Sequence, residues 1–271
     1  MHSSLRRQLY GALGRDEFKV HYQPKFHLIT GELQGVEALL RWCTDSGAWI
    51  SPSVFIPVLE RTGMINEVGA WLFERSAADF AYWHSHGLSA GRIAINISPL
   101  QLREPGFLTW VLSIGEAWQA AGAGLDLELT ESALLPDGYD VAGAFDALAA
   151  ANVRVALDDF GTGYSSLSLL TRLPIRYLKI DRSFIAQLGV SRKAYAIVAA
   201  IVRLGREIGV EIIAEGIESA GHLEHLRELG CDIGQGYYFS PALSREDLLR
   251  RLRLPAEVPE QSRGIVLRGC A

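Results

Sequence analysis

Apolar and polar positions alternate at period two in Arg92–Ser98, Leu125–Glu131 and Arg176–Asp181, and further runs of strand length stand at Val153–Asp159, Val210–Gly216 and Asp232–Ser240. Each reads as a strand. Around them, apolar positions spaced three and four apart predict helices at Pro52–Thr62, Ile65–His86, Phe107–Ala121, Tyr139–Ala151, Ser191–Ile208, Ala220–Leu229 and Arg245–Leu254. The chain opens differently. Ser4–Gly14 predicts a short helix with Leu5, Leu9, Tyr10 and Leu13 on one side and Arg6 and Arg7 on the other. Two strands, Phe18–Leu28 and Glu32–Trp42, follow, joined by Ile29-Thr30-Gly31. So short a glycine-containing link makes them an antiparallel hairpin. Repeated strand–helix units imply a parallel sheet, and eight strands suggest a closed (β/α)8 barrel of the TIM type. The hairpin modifies it: the first strand should run against the other seven. An open doubly wound sheet is the runner-up, weakened by the lack of a GxGxxG or GxxxxGK[ST] phosphate loop. The expected organisation is an N-terminal helix or linker at residues 1–16, the barrel at 17–254, and a tail at 255–271 without periodicity.

The faces of the strands carry the chemistry. Ile93, Ile95 and Ile97 share one face, and Leu125, Leu127 and Leu129 another. These aliphatic faces should meet the outer helices. The opposite faces then point into the barrel and carry Glu37, Asn96, Glu128 and Lys179. A half-polar strand is ordinarily a strand with one wet side. Neither face of a closed barrel is freely wet, and buried charges need partners. The strand at Val153 ends in Asp158 and Asp159, followed by a glycine-hinged polar loop. Taken alone, that pair fits a solvated turn as well as a cation site. Together, Glu37, Asn96, Glu128, Asp158 and Asp159 offer four carboxylates and an amide oxygen. Such a set suits Mg²⁺ or Mn²⁺ better than zinc. Glu215 and Gln235, from the last two strands, complete the ring.

Composition narrows the field. The chain has 271 residues, 49% of them hydrophobic, which suits one large domain. A formal net charge of -5 gives no basic field to favour DNA or an anionic membrane surface. The most apolar helical run, Ala194–Leu204, is interrupted by Arg203 and is too short to span a bilayer. Cys43, Cys231 and Cys270 are odd in number and lack CxxC spacing, so neither a disulfide framework nor a zinc cluster is expected. A reducing cytoplasm fits best.

The same residues fall into ordered motifs. They are HYQP at His21–Pro24, EALLRW at Glu37–Trp42, NIS at Asn96–Ser98, ELTES at Glu128–Ser132, DDFGTGYSSL at Asp158–Leu167, LKID at Leu178–Asp181, AEGIE at Ala214–Glu218 and QGYYFS at Gln235–Ser240. In that order, over roughly Leu5–Leu254, the chain resembles EAL-domain cyclic di-GMP phosphodiesterases. The resemblance implies a barrel with an antiparallel first strand and metal-dependent hydrolysis of cyclic di-GMP to linear pGpG, with two Mg²⁺ or Mn²⁺ ions per site. It implies that Glu37, Asn96, Glu128 and Asp158 hold one ion, and that Asp158 bridges to a second held also by Asp159. Lys179 and Glu215 join Glu37 as the catalytic set, with Lys179 orienting the attacking water and Glu215 and Gln235 acting through water. Gln23, Leu39, Arg41 and Gln235 line the substrate groove, with Arg41 on a phosphate. Glu131, Gly161, Gly163 and Glu218 are implied to order the loop. A homodimer is expected, and an upstream sensory or GGDEF domain if the chain is a piece of a longer protein. Two departures from common family patterns, Thr44-Asp45-Ser46-Gly47 and Pro241-Ala242, touch a surface loop and one groove wall. The competing readings are a non-catalytic cyclic di-GMP receptor and a metal-dependent barrel for another phosphodiester.

Overall fold

A computed structural model describes residues 2–88, 90–131, 141–161, 170 and 173–253. Among them the strands are β1 (Phe18–His27), β2 (Leu33–Cys43), β3 (Trp49–Ile50), β4 (Arg92–Ile97), β5 (Gly124–Thr130), β6 (Val153–Phe160), β7 (Tyr177–Ile180), β8 (Glu211–Ala214) and β9 (Ile233–Gly234). The helices are α1 (His2–Leu9), α2 (Pro52–Thr62), α3 (Met64–Ser85), α4 (Pro99–Leu102), α5 (Phe107–Ala120), α6 (Val141–Ala150), α7 (Arg182–Ile185), α8 (Arg192–Ile208), α9 (Ala220–Leu229) and α10 (Arg245–Arg253).

Strands β2, β4, β5, β6, β7, β8 and β9 pair in parallel in that order. β1 closes the ring by pairing antiparallel with both β2 and β9. The barrel therefore has eight strands, and its first runs against the other seven, as the short hairpin link implied. The alternation also holds. Ile93, Ile95, Ile97, Leu125, Leu127, Leu129, Val153, Val155 and Leu157 lie outward in one core shared with the helices. Inside, Ala156, Tyr177, Ile213 and Ile233 form a separate apolar cluster. Each stands two residues before Asp158, Lys179, Glu215 or Gln235. That cluster is the floor on which the polar ring rests. The N-terminal helix is part of the domain: Leu9 and Ala12 pack with Phe18, Trp42, Phe55 and Leu59.

Some expectations need correcting. The strand expected at Asp232–Ser240 ends at Gly234. The chain turns instead, with the amides of Phe239 and Ser240 donating to Gly236 O and Tyr238 N donating to Ile217 O. The aromatic run of QGYYFS mimics a strand, but Tyr237 is 64% exposed and the backbone N–H groups that follow it are satisfied by Gly236 O and Ile217 O rather than by a neighbouring strand. Gly236 permits it by close approach. A Cβ there would stand 2.2 Å from Ile217 O and 2.3 Å from Ile217 N. Gly236→Ala is expected to cost roughly 1–3 kcal/mol in a thermal melt, because the neighbouring atoms are backbone and cannot step aside. An unchanged melt would disprove the tight packing of this turn. The strand expected at Val210–Gly216 is shorter, Glu211–Ala214. β3 pairs with the end of β2 outside the barrel, and α4 and α7 are single turns capped by Ser98 and Asp181. None of these three elements is long enough to show a period. The expected helix start at Tyr139, the loop residues 162–169 and the tail 255–271 lie outside the described residues.

Candidate active site

Lys179 sits at the centre of the polar ring. Its Nζ lies 2.5 Å from Glu128 Oε2, 2.6 Å from Glu215 Oε1, 3.0 Å from Asp158 Oδ2 and 3.9 Å from Glu37 Oε2. Four strands, β2, β5, β6 and β7, and the residue just after β8 bring these groups together at the C-terminal ends of the parallel strands. In barrels of this kind that is the face where active sites form. Lys179 is only 1% exposed, a depth at which a cation persists only when anions surround it. Its ion pair with Asp158 is one of several.

Glu37 is fixed by two amides. Asn96 Nδ2 donates to its Oε1 at 2.7 Å and Gln235 Nε2 to its Oε2 at 2.6 Å. Gln235 Nε2 also lies 3.2 Å from Glu215 Oε1. Buried Gln235 Oε1 accepts no hydrogen bond among the described residues. Asp158 is held at both oxygens, by Lys179 at Oδ2 and by the Asp159 backbone N–H at Oδ1, 2.8 Å away. Asp159 adopts a left-handed φ of 55°, which swings its side chain out of the strand alternation.

The carboxylates titrate differently because their surroundings differ. Burial alone would raise Glu37, but the Lys179 ammonium and the Gln235 hydrogen bond bring it down to about 2. Burial, then the nearby Glu37 charge, pushes Glu128 up to about 7 despite Lys179. Burial pushes Glu215 up to about 8, with Asp158 and Glu37 adding to the effect. Asp159 is raised by partial burial and then by Asp158 and Asp181. Burial opposes the charge on Lys179, yet Glu128 and Glu215 hold its pKa well above the ordinary lysine value.

The remaining expected residues occupy the wall above. Register places Gln23 opposite Glu37, His21 opposite Leu39 and Lys19 opposite Arg41. Gln23 Nε2 donates to Ser240 O at 3.1 Å, tying β1 to the turn after β9. Leu39 and Arg41 are half-buried on the face that carries Glu37. Burial lowers the Arg41 pKa, while Glu37 and Tyr237 act on it from nearby. Glu131 follows β5 and is half-buried. Glu218 is exposed, near His222 rather than the ring. Gly161 has a φ of 94°, a conformation natural to glycine, and a Cβ there would sit 3.3 Å from the Phe184 ring. Gly163 lies outside the described residues.

Two charged residues to which the motifs assign no role bear on the ring. Lys25 is buried with its Nζ 3.4 Å from Glu128 Oε1. It stands two residues after Gln23 on β1 and therefore on the same face of the strand. Asp181 acts on Asp159 from the start of α7, where it also caps Ser183 N.

Among the described residues no three acidic, histidine or cysteine side chains surround a common point as metal ligands do. The acids gather on Lys179 instead. Their chemistry nevertheless fits a hard divalent cation: carboxylate oxygens dominate, and the orphaned Gln235 Oε1 is one more acceptor.

A family model described as EAL domain matches residues 6–242. The chain belongs to the EAL domain family. Over 245 residues this EAL domain is 39% identical to MucR of Pseudomonas aeruginosa, named a bifunctional diguanylate cyclase/cyclic di-GMP phosphodiesterase; the match covers 90% of this chain and 36% of MucR. It is 36% identical over 252 residues to the cyclic di-GMP phosphodiesterase PA2567 of the same organism, covering 92% of this chain and 43% of the relative. A solved structure described as PaMucR phosphodiesterase, c-di-GMP complex, superimposes with a TM-score of 0.82 at 39% identity, covering 90% of this chain and 99% of that one. The chain spans about a third of the length of the first curated relatives it matches. Among the described residues no helix is long and apolar enough to cross a membrane.

Proposed function

We propose that this EAL domain hydrolyses cyclic di-GMP to linear pGpG, using Mg²⁺ or Mn²⁺. The observation that carries the reading is the buried ring of Glu37, Glu128, Asp158 and Glu215 around Lys179 at the C-terminal face. The 39% likeness to a phosphodiesterase solved with c-di-GMP supports the choice of substrate.

The residues divide the work. Glu37, Asn96, Glu128 and Asp158 would hold one ion, and Asp158 and Asp159 the second. Asn96 has spent its nitrogen on Glu37, so its oxygen is the atom left for an ion. When bound, two such ions lower the pKa of an attacking water and neutralise charge on the phosphoryl oxygens. The carboxylates would trade contacts with Lys179 for contacts with the ions, which frees the ammonium to orient the water and offset developing charge. Glu215 and Gln235 would hold that water in line. Arg41 would bind a phosphate at the rim, and Gln23 and Leu39 would line the groove. Glu131, Gly161, Gly163 and Glu218 would order the loop that follows β6, which would couple the Asp158–Asp159 end of that strand to a second copy in a homodimer. A cytoplasmic setting suits a nucleotide second messenger. In a longer protein a sensory or GGDEF unit would sit beside this barrel.

The test is a hydrolysis assay of cyclic di-GMP with Mg²⁺ or Mn²⁺, with and without chelator. Conversion to pGpG that stops on chelation is expected. Intact substrate with either metal would sink the proposal. Faster turnover of a generic chromogenic phosphodiester would transfer the reading to another substrate.

A further inference from the structure

Lys25 is a buried ammonium to which the proposed chemistry gives no role. It lies on β1, the one barrel strand that runs against the other seven, and is 3% exposed. Its Nζ is 3.4 Å from Glu128 Oε1, while Lys179 Nζ is 2.5 Å from Glu128 Oε2. Two lysines from different strands thus divide the two oxygens of a single carboxylate. The register sets Lys25 opposite Gly35, one inward position below the Gln23–Glu37 pair. It therefore approaches Glu128 from the side of the apolar floor, below the groove where a substrate would lie. Any effect of Lys25 on the site passes through Glu128.

We propose that Lys25 is a positioning residue that sets the rotation of the Glu128 carboxylate for ion binding. With Oε1 held by Lys25, Oε2 is the oxygen turned to the point that Asp158 Oδ2 and Glu215 Oε1 also face. Without Lys25, Oε1 is buried with no donor and the carboxylate turns to recover one. This inference rests on the metal-dependent reading of the site. Lys25 also acts by charge, repelling a divalent ion while favouring the ionised form of Glu128, and these two effects oppose one another.

The experiment measures Mn²⁺ binding by calorimetry on the full chain, for wild type, Lys25→Met and Lys25→Arg, with thermal melts in chelator alongside. Lys25→Met is expected to weaken Mn²⁺ binding by about tenfold or more, as losing a group that orients a ligand does. Lys25→Arg, which still donates to Oε1, should recover most of that loss. At saturating Mn²⁺, kcat and the KM for cyclic di-GMP should stay near wild type. Lys25→Leu, which likewise offers no donor, is measured in parallel and should weaken binding as Lys25→Met does, so an unfolded methionine variant does not end the test. Equal or tighter Mn²⁺ binding by the folded variants, with or without a lowered melt, overturns the role of Lys25. A wild-type chain that binds no Mn²⁺ overturns the metal reading itself and this role with it.

Discussion

Lys179→Met is expected to cut cyclic di-GMP hydrolysis by at least about 10³-fold and to destabilise the metal-free chain by roughly 3–5 kcal/mol. The stability loss follows from geometry. The ammonium touches Glu128, Glu215 and Asp158 within 3.0 Å, and methionine leaves those carboxylates facing one another in a largely buried site. The penalty depends on pH, and its sign is fixed. Glu128 and Glu215 titrate near 7 and 8 in the fold, above the ordinary carboxylate range, even with Lys179 pulling both downward. Between about pH 4.5 and 8 the folded chain therefore holds protons that the unfolded chain has released, and these two groups make stability fall as pH rises. Removing Lys179 raises both pKa values further and steepens that fall. Melts in chelator should thus show a small deficit for the variant at pH 5.5 and a large one at pH 8. Mn²⁺ should restore part of it, since an ion bound only to the folded state stabilises that state. A variant whose deficit is the same at both pH values would show that the carboxylates do not depend on this cation.

How far such a site can be read from sequence depends on how local its causes are. The antiparallel first strand was legible because a three-residue link forces a hairpin. The inner ring was legible because side chains alternate strictly, which put Glu37, Asn96, Glu128 and Lys179 on one face before any contact was known. The alternation also contained Lys25, but one inward lysine on β1 draws no attention until its distance to Glu128 is known. The turn at Gly236 was not legible. Its cause is the backbone of Ile217, from another strand connection, and nothing within QGYYFS reports it. The same limit applies to Asn96. Its place in the ring follows from periodicity, while the choice of nitrogen toward Glu37 is made by the carboxylate it meets. The central position of Lys179 was also hidden. The strands announce four acids and a lysine, and the competition among the acids for that lysine appears only when the barrel closes.

Glu37→Gln is expected to lower hydrolysis by about three orders of magnitude while leaving cyclic di-GMP binding within about tenfold of wild type. The substitution keeps the size of the side chain, so packing should survive. What changes is the hydrogen-bond inventory and the charge. Glu37 receives an amide N–H at each oxygen, from Asn96 on one side and Gln235 on the other. A glutamine offers one acceptor and one donor, so one of those amides meets another donor and must turn away. Turning Asn96 moves the oxygen proposed to face an ion, and turning Gln235 disturbs its contact with Glu215. The lost charge adds to this. Glu37 titrates near 2, so it is ionised across the whole working range, and no change of pH supplies what glutamine lacks. The rate deficit should therefore be flat from about pH 6 to 9. Gln23, Leu39 and Arg41, proposed to line the groove, are untouched, which is why the nucleotide should still bind. The check is a pair of measurements on each protein: single-turnover hydrolysis at saturating Mn²⁺ across pH, and cyclic di-GMP binding in Ca²⁺ or chelator. Turnover within tenfold of wild type would remove Glu37 from the chemistry. Loss of binding in step with loss of turnover would place Glu37 in substrate recognition instead.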